Sequence, residues 1–129
     1  MLDTNIVSSL IARPYGKARA RVTRQGEASV CVSIVAAAEL RFGVAKKGSA
    51  KLAAKVEAIL GVLRVLPLEA PADRRYGELR AHLVAAGRTI GLNDLWIAAH
   101  ALTLGLTLAT ANVSEFKRVP GLTVENWLE

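Results

Sequence analysis

Five short apolar stretches separated by segments of helical spacing constrain this chain more than any other feature. The stretches are Met1-Leu2, Ser29-Val-Cys-Val-Ser33, Arg64-Val-Leu-Pro-Leu68, Leu106-Thr-Leu-Ala109 and Leu122-Thr-Val124. Short apolar or β-branched runs bounded by turn residues read as buried strands. Pro67 marks the end of its strand or a sheet edge, because it cannot donate to a ladder. Between them, helices are predicted from Ile6 through Leu10 and over residues 17–27, 34–47, 50–61, 71–86 and 91–105, with a short helical turn at 113–116. Leu52, Val56, Ile59, Leu60 and Leu63 share one helical face, as do Tyr76, Leu79, Leu83 and Val84. Strand alternating with helix predicts one domain, residues 1–129, of α/β class with a parallel sheet covered on both faces.

Composition narrows the chemistry. With 52% hydrophobic residues among 129, the chain has enough apolar surface for a real core. No apolar run reaches the roughly 20 residues of a membrane span, and no basic-then-apolar leader is visible, so a cytoplasmic protein is expected. Cys31 is the only cysteine, which excludes an internal disulfide and a cysteine-built zinc site; its β-branched neighbours suggest a small buried hydrophobe. Residues 1–55 hold ten Lys and Arg against three acids, whereas the remainder holds seven against eight. A basic half suits a polyanion partner, although a solvated surface accounts for the charge equally well.

Against that background a few acids stand out. Asp94 opens the apolar stripe of the helix bounded by Gly91 and Gly105, since Ile97, Ala98 and Ala101 follow at i+3, i+4 and i+7. A carboxylate there must cap the helix or meet other charged groups. Asp3 directly follows a strand, and Asp3, Thr4 and Asn5 are all good caps. Glu39 shares a face with Val35 and Phe42, where an ion pair with a nearby cation is the ordinary explanation. Asn112 follows the strand at 106–109. In an open parallel sheet, groups beyond the carboxyl ends of the strands share one edge, so these residues can converge. Converging carboxylates repel, and a divalent cation relieves that. An all-oxygen set favours Mg²⁺ or Mn²⁺, and ions of that kind can activate water against a phosphodiester. His82 has no second ligand spaced to help it and reads as a surface residue. His100 lies about 240° round the helix from Asp94, which points to a structural role.

The segments Leu2-Asp-Thr-Asn-Ile6, Ala38-Glu-Leu-Arg-Phe-Gly43, Gly91-Leu-Asn-Asp-Leu-Trp-Ile-Ala-Ala99, Thr110-Ala-Asn-Val-Ser-Glu-Phe116 and Val119-Pro-Gly-Leu122 through Trp127 resemble, in order and spacing, the PIN-domain ribonucleases, specifically VapC-type toxins of type II toxin–antitoxin pairs. The resemblance spans almost the whole chain. It implies a three-layer PIN-like fold with a five-stranded parallel sheet, an Mg²⁺- or Mn²⁺-dependent endoribonuclease, a homodimer, and a VapB-like antitoxin whose C-terminal segment blocks the site. Asp3, Glu39 and Asp94 match the family's three principal acids and would bind metal. Asn112 falls where many members have Asp, leaving the second metal in question, and Glu115 would supply the missing charge through water. Asn5 and Thr110 match groups that orient the acids. The first strand is shorter than is usual in the family. Two other readings fit the residues: a catalytically inactive PIN-fold RNA-binding or interaction module, and an aspartyl-nucleophile phosphatase, which wants an Asp where Asn5 stands.

Overall fold

The computed structural model describes residues 1–129. Its elements run α1 (Thr4–Ala12), α2 (Lys17–Gln25), a 3₁₀ turn (Glu27–Ser29), β1 (Cys31–Ser33), α3 (Ile34–Lys47), α4 (Ala50–Val62), β2 (Arg64–Leu66), α5 (Ala72–Ala85), α6 (Leu92–Leu104), β3 (Leu108–Ala109), α7 (Val113–Phe116) and β4 (Val124–Glu125). Every predicted helix is present. The strands are shorter than expected; ahead of β1, for example, the 3₁₀ turn takes up residues 27–29.

β1 pairs with β2 and β3 with β4, both in parallel. Leu2 bridges the two pairs, matching Val32 on one side and Ala109 on the other. Its backbone neighbourhood carries the bonds of a strand: Leu2 N–H donates to the Cys31 carbonyl at 2.8 Å, Asp3 N–H to the Ala109 carbonyl at 2.8 Å, and Ala109 N–H to the Met1 carbonyl at 2.9 Å. Four strands and a one-residue bridge therefore stand where five strands are expected. The physical reason is that Asp3 caps α1, so the chain turns into a helix immediately after Leu2. All three residues of β1 are buried, as they must be in a parallel sheet covered on both faces.

Helix ends follow local chemistry. Ser33 and Ser49 cap α3 and α4, their hydroxyls accepting from Val35 and Leu52 N–H at 3.1 Å each. Gly105 closes α6 in the left-handed region at φ 66°, and Leu106 N–H returns to the Ala101 carbonyl. A single core of 27 buried apolar residues runs through the molecule, with Leu2, Ile6, Val32, Ile97 and Phe116 fully enclosed. Val84, expected on the buried face of α5, is instead exposed, while Leu79 and Leu83 of that face are buried.

Candidate active site

The bridging position of Leu2 fixes Asp3 at the carboxyl edge of the sheet. Asp3 is only 2% exposed. Its Oδ1 accepts from Thr4 N–H at 2.8 Å, capping α1. Its Oδ2 accepts from the Thr110 hydroxyl at 2.7 Å and from the Asn5 amide at 3.1 Å. The cap reading of Asp3 is correct and accounts for only one of its two oxygens. Burial pushes its pKa above the ordinary carboxylate value, the Thr110 and Thr4 hydrogen bonds work against that, and the charge of Glu39 adds to it.

Glu39 enters from the second turn of α3. No cation pairs with it: the only ion pairs are Arg21–Glu125 and Arg41–Glu57. The Thr4 hydroxyl donates to its Oε1 at 2.7 Å. Phe42 on the same face is largely exposed, so the expected apolar stripe is not buried along its length, and Glu39 itself lines a cleft with Thr4, Leu40 and Val44. Thr4 is the site residue that sequence reasoning misses. Its neighbours in the chain suggest only a capping role, whereas its link to Glu39 joins positions 35 residues apart.

Asp94 is the third residue of α6, whose N-cap is Gly91 with no side-chain cap. The capping alternative for Asp94 therefore fails. Its carboxyl meets Glu115 instead. Asp94 is pushed up to about 7, first by burial, then by the hydrogen bond and charge of Glu115, then by the charges of Asp3 and Glu39. Glu115 is held from α7: Gly91 N–H donates to Oε1 at 3.3 Å and the Asn112 amide to Oε2 at 3.2 Å. Asn112 itself is exposed, and its N–H donates to the Thr110 hydroxyl at 2.9 Å. Its contacts make it the residue that orients Glu115. Asn5 completes the frame, its Oδ1 accepting from Ala111 N–H at 3.0 Å.

Asp3 and Asp94 are thus raised by burial and by neighbouring carboxylate charge, with Glu39 and Glu115 supplying that charge at the same edge of the sheet. No three of the His, Cys, Asp and Glu side chains converge closely enough to form a ready-made ion site. The donor set is nevertheless the right kind for a hard divalent ion, all oxygen and without a neutralising Lys or Arg. His100 lies elsewhere, 2% exposed in the interior, with Nδ1 at 2.8 Å from the Ser33 hydroxyl and a hydrogen bond to the Pro67 carbonyl. Its expected structural role holds, with both of these partners inside the chain. His82 is exposed, as expected.

Comparison with known proteins follows the same geometry. The PIN domain family profile matches residues 1–122. Ribonuclease VapC2 of Rickettsia felis is 38% identical over 129 residues, covering 98% of this chain and 96% of the relative. The tRNA(fMet)-specific endonuclease VapC of Shigella flexneri is 37% identical over 129 residues, with coverage of 98% and 96%. Among solved structures, DNA-bound VapBC from Salmonella typhimurium superposes with a TM-score of 0.91 at 34% identity, covering 98% of this chain and 96% of that one.

Proposed function

The chain belongs to the PIN-domain family, in its VapC ribonuclease branch, and from that premise we propose a metal-dependent endoribonuclease acting as the toxin of a toxin–antitoxin pair. The observation that carries this reading is the grouping of Asp3, Glu39, Asp94 and Glu115 at one edge of the sheet with no protein cation between them, Asp3 and Asp94 being raised by burial and by neighbouring carboxylate charge. Such an arrangement destabilises the free protein and is relieved by a divalent cation. Asp3, Asp94 and Glu39 would hold Mg²⁺ or Mn²⁺. Bound there, the ion would lower the pKa of a water and offset the charge gathering on the scissile phosphate.

The chain's own residues do the positioning. Thr110 and Asn5 fix Asp3 Oδ2, Thr4 fixes Glu39, and Asn112 with Gly91 holds Glu115 against Asp94. Asp94, raised to about 7 by burial and its acidic neighbours without a cation, would be ionised once a divalent ion is bound there. The substrate class is single-stranded RNA, where the backbone is open to a cleft of this kind.

An antitoxin is the natural partner, since the solved neighbours include a member of the VapBC family of toxin–antitoxin systems from Mycobacterium tuberculosis. A cavity of about 610 Å³ opens beside Glu39, walled by Ile11, Leu40, Val44, Leu52 and Val56; an amphipathic antitoxin segment would fit it. No helix is long and apolar enough to cross a membrane, which is compatible with a cytoplasmic site of action. A homodimer belongs to the same reading, with exposed Val84 and Leu92 as apolar surface for it.

A catalytically inactive RNA-binding module keeps one observation on its side, the absence of a ready-made ion site. The two readings separate on regulated expression followed by mapping of RNA 5′ ends. New ends in wild type that disappear with Asp94→Asn support the nuclease. RNA binding in EDTA without any new ends supports the module.

A further inference from the structure

One face of α1 leads away from the acids into a second cavity. Asn5, Ser8, Ser9 and Ala12 recur at i, i+3, i+4 and i+7 and so lie on one side of the helix. With Arg13 and Lys17 they wall a cavity of about 540 Å³. That volume is in the range of ligand pockets. Its polar lining is two hydroxyls, one amide and two cations, and no carboxylate side chain faces it. The cavity beside Glu39 differs in carrying that carboxylate on its wall.

Arg13 and Lys17 are exposed and neither is ion-paired. A tight turn keeps them together: Gly16 N–H donates to the Arg13 carbonyl at 2.9 Å, and a Cβ on Gly16 would sit 3.1 Å from the Arg13 Cβ. Asn5 is the shared wall, because the same amide that holds Asp3 Oδ2 lines this cavity. From Asn5 to Ala12 the helix axis covers about 10 Å. A strand running along this face passes from a cluster that repels phosphate to one that attracts it.

Building on the nuclease reading, we propose that this cavity binds a backbone phosphate of the RNA strand, separate from the phosphate that is cleaved. Arg13 and Lys17 supply charge-assisted donors to its free oxygens, and the Ser8 and Ser9 hydroxyls supply neutral ones. Contacts of this type position the strand without reading its bases.

The test compares wild type, Arg13→Gln/Lys17→Gln, and a control with the same charge loss on α5, Arg74→Gln/Arg75→Gln, which lies outside this cavity. Binding of a fluorescent single-stranded RNA is followed in EDTA, and cleavage is followed with Mg²⁺. The Arg13/Lys17 variant is expected to bind about ten-fold more weakly at about 50 mM salt, with a salt slope shallower by about 0.7 for each phosphate that is no longer neutralised. Its KM rises and its kcat stays close to wild type, while the control tracks wild type in both assays. If wild type cleaves RNA and the Arg13/Lys17 variant matches it in affinity, slope and KM, the phosphate site is wrong and the nuclease reading stands. If wild type neither binds nor cleaves RNA, the nuclease reading itself fails and takes the phosphate site with it.

Discussion

The Thr110 hydroxyl donates a 2.7 Å hydrogen bond to Asp3 Oδ2 across 107 positions of sequence, with both residues buried. The same hydroxyl accepts from Asn112 N–H at 2.9 Å. One oxygen therefore ties the end of β3, the start of α7 and the buried acid together. Thr110→Val keeps the shape and removes all of this. Losing a buried hydrogen bond to an ionisable group costs about 2 kcal/mol, and Asp3, without its main lowering partner, moves further up. The acid limb of the cleavage profile then shifts to higher pH. Chemical denaturation and a pH–rate profile check both effects, and Thr110→Ser should restore each; a profile unmoved by Thr110→Val removes Thr110 from the site.

The raised carboxylates also determine how stability varies with pH in the absence of metal. Asp3 and Asp94 hold protons more tightly folded than unfolded. Their contribution is complete below the ordinary carboxylate value and is lost as pH rises through the folded value, for Asp94 about 7. Asp94 is partly exposed, so solvent screening reduces the effect to about 1–2 kcal/mol. In EDTA at pH 8, Asp94→Asn should melt a few degrees above wild type, and the difference should vanish near pH 4. Mg²⁺ should raise the wild-type Tm more at pH 8 than at pH 5. A variant less stable than wild type at pH 8 would mean that the acids do not repel one another.

Glu115 offers a narrower test of the same electrostatics. Glu115→Gln keeps the contact to Asp94 and removes the charge, so Asp94 falls toward the ordinary range and the acid limb of activity moves down by about one pH unit. Asn112→Ala, which frees Glu115 Oε2 from its amide partner, should reproduce only part of that shift. Activity abolished outright in Asn112→Ala, with no change of profile, would give Asn112 a direct role in catalysis.

What can be read from the sequence divides by distance. The helices follow from local spacing and caps, as Ser33, Ser49 and Gly105 illustrate. Asp94 stands out because a carboxylate at the head of an apolar stripe is costly wherever the chain folds, and Asp3 because it directly follows a strand, where a parallel sheet gathers its functional groups. The first strand is ambiguous because its single residue, Leu2, is paired entirely by segments about 30 and 107 residues away. Likewise, nothing local links Thr4 to Glu39 or separates Asp94 as a cap from Asp94 as a partner of Glu115. Those contacts depend on sheet order, which periodicity does not encode.

His100 should titrate against the trend of the acids. Burial pushes its pKa down, and its hydrogen bond to the Pro67 carbonyl opposes this only in part. The fold therefore favours neutral imidazole. Its contribution is present above the unfolded value of 6.5 and is lost as pH falls from there through the lower folded value. Neutral His100 ties α6 to Ser33 at the end of β1 and to Pro67 just beyond β2. His100→Leu should cost about 2 kcal/mol at pH 7.5, since it leaves the Pro67 carbonyl without that donor. The deficit should narrow toward pH 5, where wild type must protonate a buried ring or release it to solvent. Urea unfolding at the two pH values gives the comparison. A deficit that is the same at both, or larger in acid, would show that the ring is already charged in the fold.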